Sequence, residues 1–231
     1  MAINALTWES DFFSQRIGKV DLTALEQLSF AEYSQWDVVQ AKISSADYWS
    51  MDKLSRQGFV LAEGEVELAI AIKETTRQVG IRIARPSHID SLRYLASTLF
   101  TATRFRAPWF EPPLIEQFYA QWIDNAVQGC FDDQCLIKLD SQGDIAGFIS
   151  LRETDGVARI GLLGVSPEHR GQGAGSELLL AALDWARAKG CSQLLITTQL
   201  SNLAAMRLYL RHDARVLSTH YWLYRKRDDS V

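Results

Sequence analysis

A chain of 231 residues with 47% hydrophobic and 23% charged residues is a globular protein of one or two domains, and wholesale disorder is excluded. Its 24 Lys and Arg against 28 Asp and Glu leave a net charge of −4, which argues against indiscriminate nucleic-acid binding but leaves room for a local anion site. The three cysteines, Cys130, Cys135 and Cys191, are odd in number and form no CxxC, and His88, His169, His212 and His220 are scattered, so neither a disulfide framework nor a metal site has support. The expected setting is a reducing cytoplasm. The longest apolar run, residues 178–183, is far short of a membrane span, and residues 1–10 lack the cationic and apolar regions of a signal peptide.

Charge is uneven along the chain. Residues 1–80 hold 7 basic and 12 acidic side chains and residues 81–231 hold 17 and 16, with a polar seam at 75–80. A boundary there predicts a small α/β accessory domain over 1–79 and a catalytic domain over 80–231. In the first part, a short helix is expected over 22–29 and a strand over 38–43. A helix over 48–57 is stopped by Gly58, and strands are expected over 59–61 and 65–72. In the second part, a strand over 81–84 precedes a helix over 88–100 with Ser87 as its cap. The irregular stretch TATRFRAPWFEPP leads to a helix over 114–128. Strands over 135–139 and 145–151 form a hairpin through SQGD, and a strand follows over 157–165. A long helix over 173–189 carries Leu178, Leu179, Ala182 and Trp185 on its apolar side. A strand over 193–198, a helix over 202–212 and final strands over 216–225 complete the order. Three consecutive strands between helices exclude a doubly wound nucleotide fold.

The chemistry is concentrated in IGLLGVSPEHRGQGAGSELL, residues 160–179. Three glycines in five positions open the longest helix, where the first N–H groups have no backbone partner. Convergent amides and the helix dipole suit a diphosphate. The stretch is neither GxxxxGK[ST] nor GxGxxG, and on spacing alone a flexible turn is an equal reading.

Arg170-x-x-Gly173-x-Gly175, after a strand ending in Gly164-Val165, resembles the acyl-coenzyme A loop of the GCN5-related N-acetyltransferase superfamily. Residues 202–209, NLAAMRLY, resemble the second half of that family's signature. The resemblance covers about residues 80–227 and implies an α/β fold, an α+β mixed sheet with two splayed strands. It implies acetyl-CoA as co-substrate, with no metal. The pyrophosphate would lie on the amides of Val165, Arg170, Gly171, Gln172, Gly173, Ala174, Gly175 and Ser176. The pantetheine would pair with the edge of the strand containing Leu162, Leu163, Gly164 and Val165, and Asn202 would meet the pantetheine or the diphosphate. RFRAPWF, FYAQWI, ISLRE and YWLYR, with LTWESDFF near the start, resemble a narrower family over the whole chain. What that resemblance implies is acetylation of the 4-amino group of dTDP-4-amino-4,6-dideoxygalactose, a step of enterobacterial common antigen biosynthesis, by a cytoplasmic homodimer with no nucleic-acid or membrane partner.

Tyr209 is the expected catalytic residue, a neutral phenol that can protonate a departing thiolate. Helical spacing alone would make it a core residue. Asn202 serves equally as a helix cap. Arg104, Arg106, Trp109 and Phe110 are expected to bind the acceptor, because five arginines and one acid fall within residues 82–106 beside aromatic rings. A proline-rich loop with Trp109 in the core is the competing reading. The general base stays unassigned, with Glu65, Glu67, Glu153 and His220 as candidates. Cys191 is expected to be a small core residue. The alternatives are another nucleotide amino sugar, a small amine or a protein N-terminus as acceptor, or a non-catalytic acyl-CoA sensor.

Overall fold

The computed structural model describes residues 2–74, 77–100 and 103–227. In the first part are β1 (Ile3–Ala5), α1 (Thr7–Phe13), β2 (Ile17–Val20), α2 (Phe30–Tyr33), β3 (Val38–Ser44), α3 (Tyr48–Arg56) and β4 (Val60–Ala71). Then follow β5 (Ile81–Ile83), α4 (Ile89–Leu99), α5 (Pro112–Gln128), β6 (Gln134–Leu139), β7 (Ile145–Thr154) and β8 (Val157–Val165). The chain closes with α6 (Ala174–Ala188), β9 (Gln193–Gln199), α7 (Leu203–Arg211) and β10 (Arg215–Lys226). The ten strands make one mixed sheet in the order β1-β2-β3-β10-β4-β9-β8-β7-β6-β5.

The sheet therefore runs across the boundary expected near residue 80. β4 from the first part pairs with β9 from Glu65↔Gln199 to Ala71↔Gln193, and β10 from the end of the chain pairs with both β3 and β4. Residues 75 and 76 of the polar seam, like residues 101 and 102 of the irregular stretch, lie outside the described residues.

Alternation of side chains along the strands sends successive residues to opposite faces. Ile137 and Phe148 join the cluster built from Leu92, Leu95, Phe118 and Ile123 of α4 and α5. Leu136 and Ile149 join the cluster built from Leu178, Leu179, Ala182 and Ala186 of α6. A third cluster, with Ile3, Val39, Ile43 and Leu54, fills the N-terminal corner. α5 starts with Pro112 and Pro113, whose missing N–H groups cost nothing in a first turn, and stops at Gly129 with φ 72°.

Three expected elements change. Residues 22–27 are a 3-10 turn, capped by the Asp21 side chain. The strands expected at 59–61 and 65–72 are one strand, β4, and the final strands are one strand, β10. Leu217 is an extra residue in β10 and Ala62 an extra residue in β4, and these two bulges break the alternation of the paired strands. β1, α1 and β2 were not expected, since three- and four-residue strands hold too little periodicity to read.

Candidate active site

The sheet opens between β8 and β9. They pair in parallel only at Val157↔Gln193, Ala158↔Leu194 and Arg159↔Leu195. Beyond that the two strands diverge, each held on its outer side by β7 and β4. The inner backbone groups of residues 160–165 and 196–199 thus face a gap in place of a ladder, and buried amides require some partner. The gap is part of a cleft of about 1380 Å³ that both faces of the sheet share.

One end of the cleft is the turn into α6. Gly171 (φ 74°) and Gly173 (φ 91°) are left-handed, a conformation that a Cβ penalises. Gly173 caps α6 without a side chain, and the first intrahelical bond is from Glu177 N to Gly173 O at 3.0 Å. The amides of Ala174, Gly175 and Ser176 are consequently bare at the positive end of the helix dipole. A Cβ on Gly175 would lie 3.3 Å from Leu208 Cδ2, so a glycine here also lets α6 approach α7. Leu163, Gly164, Val165, Arg170, Gly171, Gly173, Ala174, Gly175, Ser176 and Asn202 all line the cleft. Gln172 does not, and its amide donates to Glu168 O at 2.7 Å. Asn202 caps α7 by accepting from Ala205 N at 3.1 Å. Ser176 and His212 share a short hydrogen bond between α6 and the end of α7.

Tyr209 stands on α7 with 4% of its surface exposed and its ring in the α6 cluster, yet it lines the cleft. Burial raises its phenol well above the ordinary value. It is thus a neutral proton donor at any physiological pH.

The opposite wall is mostly a surprise. Phe100, Tyr119, Trp122 and Phe131 line it in contact, with centroids 4.6 Å, 6.4 Å and 5.7 Å apart in turn. Trp122 Nε1 donates to Asp132 Oδ2 at 3.3 Å, and the Ser150 hydroxyl bonds the same carboxyl, whose pKa is raised chiefly by burial. Ser150 Oγ accepts from Leu162 N at 2.9 Å. That bond sits where Gly161 and Leu162 oppose the single residue Ser150, between the pairs Leu151↔Ile160 and Ile149↔Leu163. A bulge is thus held at the point where β8 borders the gap.

Three carboxylates line the cleft. Glu65 is ion-paired with Lys42 and accepts from Trp222 Nε1 at 2.8 Å. Asp132 is committed to Trp122 and Ser150. Glu63 is half-buried and, among the described residues, accepts only from the amide of Gly64, at 2.8 Å. Among the earlier candidates, Glu67 pairs with Arg159 at 3.1 Å and Glu153 accepts from Gly156 N, both outside the cleft lining. His220 also lies outside it, opposite Glu65 on β10, with its pKa lowered first by burial and then by Lys42.

Of the four acceptor residues expected from the irregular stretch, only Arg104 lines the cleft. Its guanidinium is held by Gln40 at 3.0 Å, by the Tyr224 hydroxyl and by Glu9 at 3.5 Å, and lies 4.0 Å from the Trp222 ring centroid. Arg106 donates to Ala62 O and Ala107 O. Trp109 and Phe110 are buried in the core, where Trp109 meets Tyr224 edge-on. Cys130 is exposed, while Cys135 and Cys191 are buried; burial pushes the Cys135 thiol to about 12 and raises that of Cys191. Among the described residues there is no metal-holding group of His, Cys, Asp and Glu, and no helix long and apolar enough to cross a membrane.

A sheet opened beside a glycine-capped helix defines the class. Residues 92–213 match the acetyltransferase (GNAT) family, and the chain belongs to it. It is an N-acetyltransferase with the mixed-sheet fold of that family. It is also 45% identical over 226 residues to the dTDP-fucosamine acetyltransferase of Escherichia coli O6:H1 (strain CFT073), covering 97% of this chain and 98% of that one. A mycothiol acetyltransferase of Clavibacter michiganensis subsp. michiganensis is 32% identical over 108 residues, 47% of this chain and 29% of that one. The GCN5-related N-acetyltransferase of Sphaerobacter thermophilus superposes with a TM-score of 0.62 at 17% identity, over 82% of this chain and 59% of that one.

Proposed function

We propose that this chain transfers the acetyl group of acetyl-CoA to the 4-amino group of dTDP-4-amino-4,6-dideoxygalactose, as a cytoplasmic homodimer in enterobacterial common antigen biosynthesis. The carrying observation is the open seam between β8 and β9 with bare amides at one end and Tyr209 beside it. The likeness to a dTDP-fucosamine acetyltransferase over nearly the whole of both chains supports this acceptor.

In this reading the amides of Ala174, Gly175 and Ser176, with the turn before them, hold the pyrophosphate. The inner edge of β8 through Leu163, Gly164 and Val165 pairs with the pantetheine amides. A bulge-side N–H of β8 polarises the thioester oxygen. Glu63, the cleft carboxylate with no side-chain partner among the described residues, takes the proton of the acceptor amine, directly or through water. The neutral amine attacks the thioester carbon, and this proton leaves its nitrogen from the tetrahedral intermediate to Glu63. Tyr209 protonates the sulfur as the C–S bond breaks, and water carries the proton from Glu63 back to the phenolate. Orientation of the two substrates across the seam supplies much of the rate. Residues 1–79 are more than a support, because β4 contributes Glu63 and Glu65 to the acceptor wall.

The test is thiol release from acetyl-CoA with dTDP-4-amino-4,6-dideoxygalactose, its gluco epimer, UDP-linked amino sugars and spermidine. Turnover concentrated on the first compound is expected. Binding of acetyl-CoA without transfer to any of them would replace the enzyme reading with that of an acyl-CoA sensor.

A further inference from the structure

The aromatic wall ends in a cation. Arg152 on β7 lies 4.7 Å from the centroid of Phe131, and both line the cleft. Phe131 is 51% exposed although its edge meets Trp122, which is unusual for a phenylalanine that could have been buried with its neighbours. The other two arginines on this wall are spent: Arg104 on Glu9 and Tyr224, Arg159 on Glu67. Arg152 forms no ion pair among the described residues, so its charge faces the cleft with its donors open. The carboxyl of Asp132 feels its charge, but Trp122 and Ser150 already occupy that carboxyl.

Position agrees with charge. Arg152 stands opposite Arg159, the last residue of β8 that still pairs with β9. Leu162, on the wall of the gap, is three residues further along the strand, about 10 Å at the rise of a β-strand. A pyranose with its amine at C4 and a phosphate at C1 bridges a distance of that order. An amine at the gap would thus deliver its phosphates to Arg152. A planar fork of N–H donors fits phosphate oxygens two at a time, and stacking on Phe131 fixes the fork before the ligand arrives.

We propose that Arg152, held over Phe131, binds the diphosphate of the nucleotide-sugar acceptor and is the residue by which this site prefers a nucleotide-linked amine to a free one. The inference rests on the nucleotide-sugar reading above. The test is steady-state transfer by the full chain to dTDP-4-amino-4,6-dideoxygalactose and to the methyl glycoside of the same amino sugar. Arg152→Ala is expected to lower the ratio of kcat/KM for the nucleotide sugar to that for the glycoside by about 10- to 100-fold, with KM for acetyl-CoA unchanged. Arg152→Lys, which keeps the charge but not the fork, should fall between, and serves as the folded comparison if the alanine variant is unstable. An unchanged ratio in both variants overturns the assignment of Arg152 alone. No transfer to the nucleotide sugar by the unaltered protein overturns the acceptor reading, and this inference with it.

Discussion

Removing one oxygen atom from Tyr209 separates its packing from its chemistry. The ring is buried among Leu178, Leu179 and Ile196, and the hydroxyl has no hydrogen-bond partner among the described residues. Tyr209→Phe keeps every apolar contact of the ring and strands no protein donor or acceptor, so stability should change by less than about 1 kcal/mol. If the phenol protonates the leaving sulfur, kcat should fall by about 10²- to 10⁴-fold. At 1.36 kcal/mol per decade that is about 2.7 to 5.4 kcal/mol of barrier. Thiol release at saturating acetyl-CoA measures kcat, and a melting curve measures the fold. Burial favours the neutral phenol, so the folded pKa lies above the unfolded one. Its protonation therefore holds through pH 10, and kcat should show no alkaline decline at the ordinary phenol value. By linkage, the stability tied to this burial is complete below about pH 10 and is lost as pH rises further. A variant that turns over within about threefold of the unaltered protein, or that loses activity only in proportion to a lowered Tm, would refute the general-acid role.

Gly161→Ala should unseat the bulge of β8, because its Cβ would lie 2.4 Å from Asp132 Oδ2 and 2.6 Å from Ser150 Oγ. A loss of about 1 to 3 kcal/mol in denaturant unfolding is expected, with a lower kcat; an unchanged midpoint would show that both polar groups move aside freely. Glu63→Gln should lower kcat by about 10²-fold or more while leaving KM for acetyl-CoA and the melting curve unaltered, and an unchanged kcat would remove Glu63 as the base. Asp37, bound to the Arg16 guanidinium with Arg227 nearby, has its carboxyl held down to about 2. A depressed carboxyl stabilises the fold above its unfolded value and loses that effect as pH falls through the folded one. Asp37→Asn should therefore cost about 1 kcal/mol at neutral pH, after allowance for solvent screening, and the difference should shrink as pH falls toward about 2 and vanish below it; a pH-independent difference would contradict the pairing.

The glycine turn and α6 were legible because their demands are local. Glycines at 171 and 173 are required by left-handed backbone, and the apolar stripe of α6 repeats at helical spacing, so both are written in consecutive residues. The aromatic wall of the cleft is assembled from α4, α5, β4, β7, β10 and the loop before β6, and only the sheet order brings them together. Hence Glu63, Trp122, Phe131, Asp132 and Arg152 went unread. Arg104, Arg106, Trp109 and Phe110 drew notice as a cationic aromatic run, yet only Arg104 reaches the cleft. A buried tryptophan and a ligand-facing one have the same letter, and burial here is decided by Tyr224 on β10, more than a hundred residues away in sequence. β4 and β10 were read as broken strands for a similar reason: bulges and Gly64, which passes under Leu200, interrupt an alternation that the paired ladders restore.

Acetyl transfer to the amine at C4 of the nucleotide sugar is tested by following the acetyl carbon itself. With [1-13C]acetyl-CoA and dTDP-4-amino-4,6-dideoxygalactose carrying 15N in its amino group, NMR of the product should show the labelled carbonyl as an amide coupled to the C4 nitrogen, formed in step with thiol release. Label that stays on coenzyme A, or appears only as free acetate while the amine remains unmodified, would contradict the account.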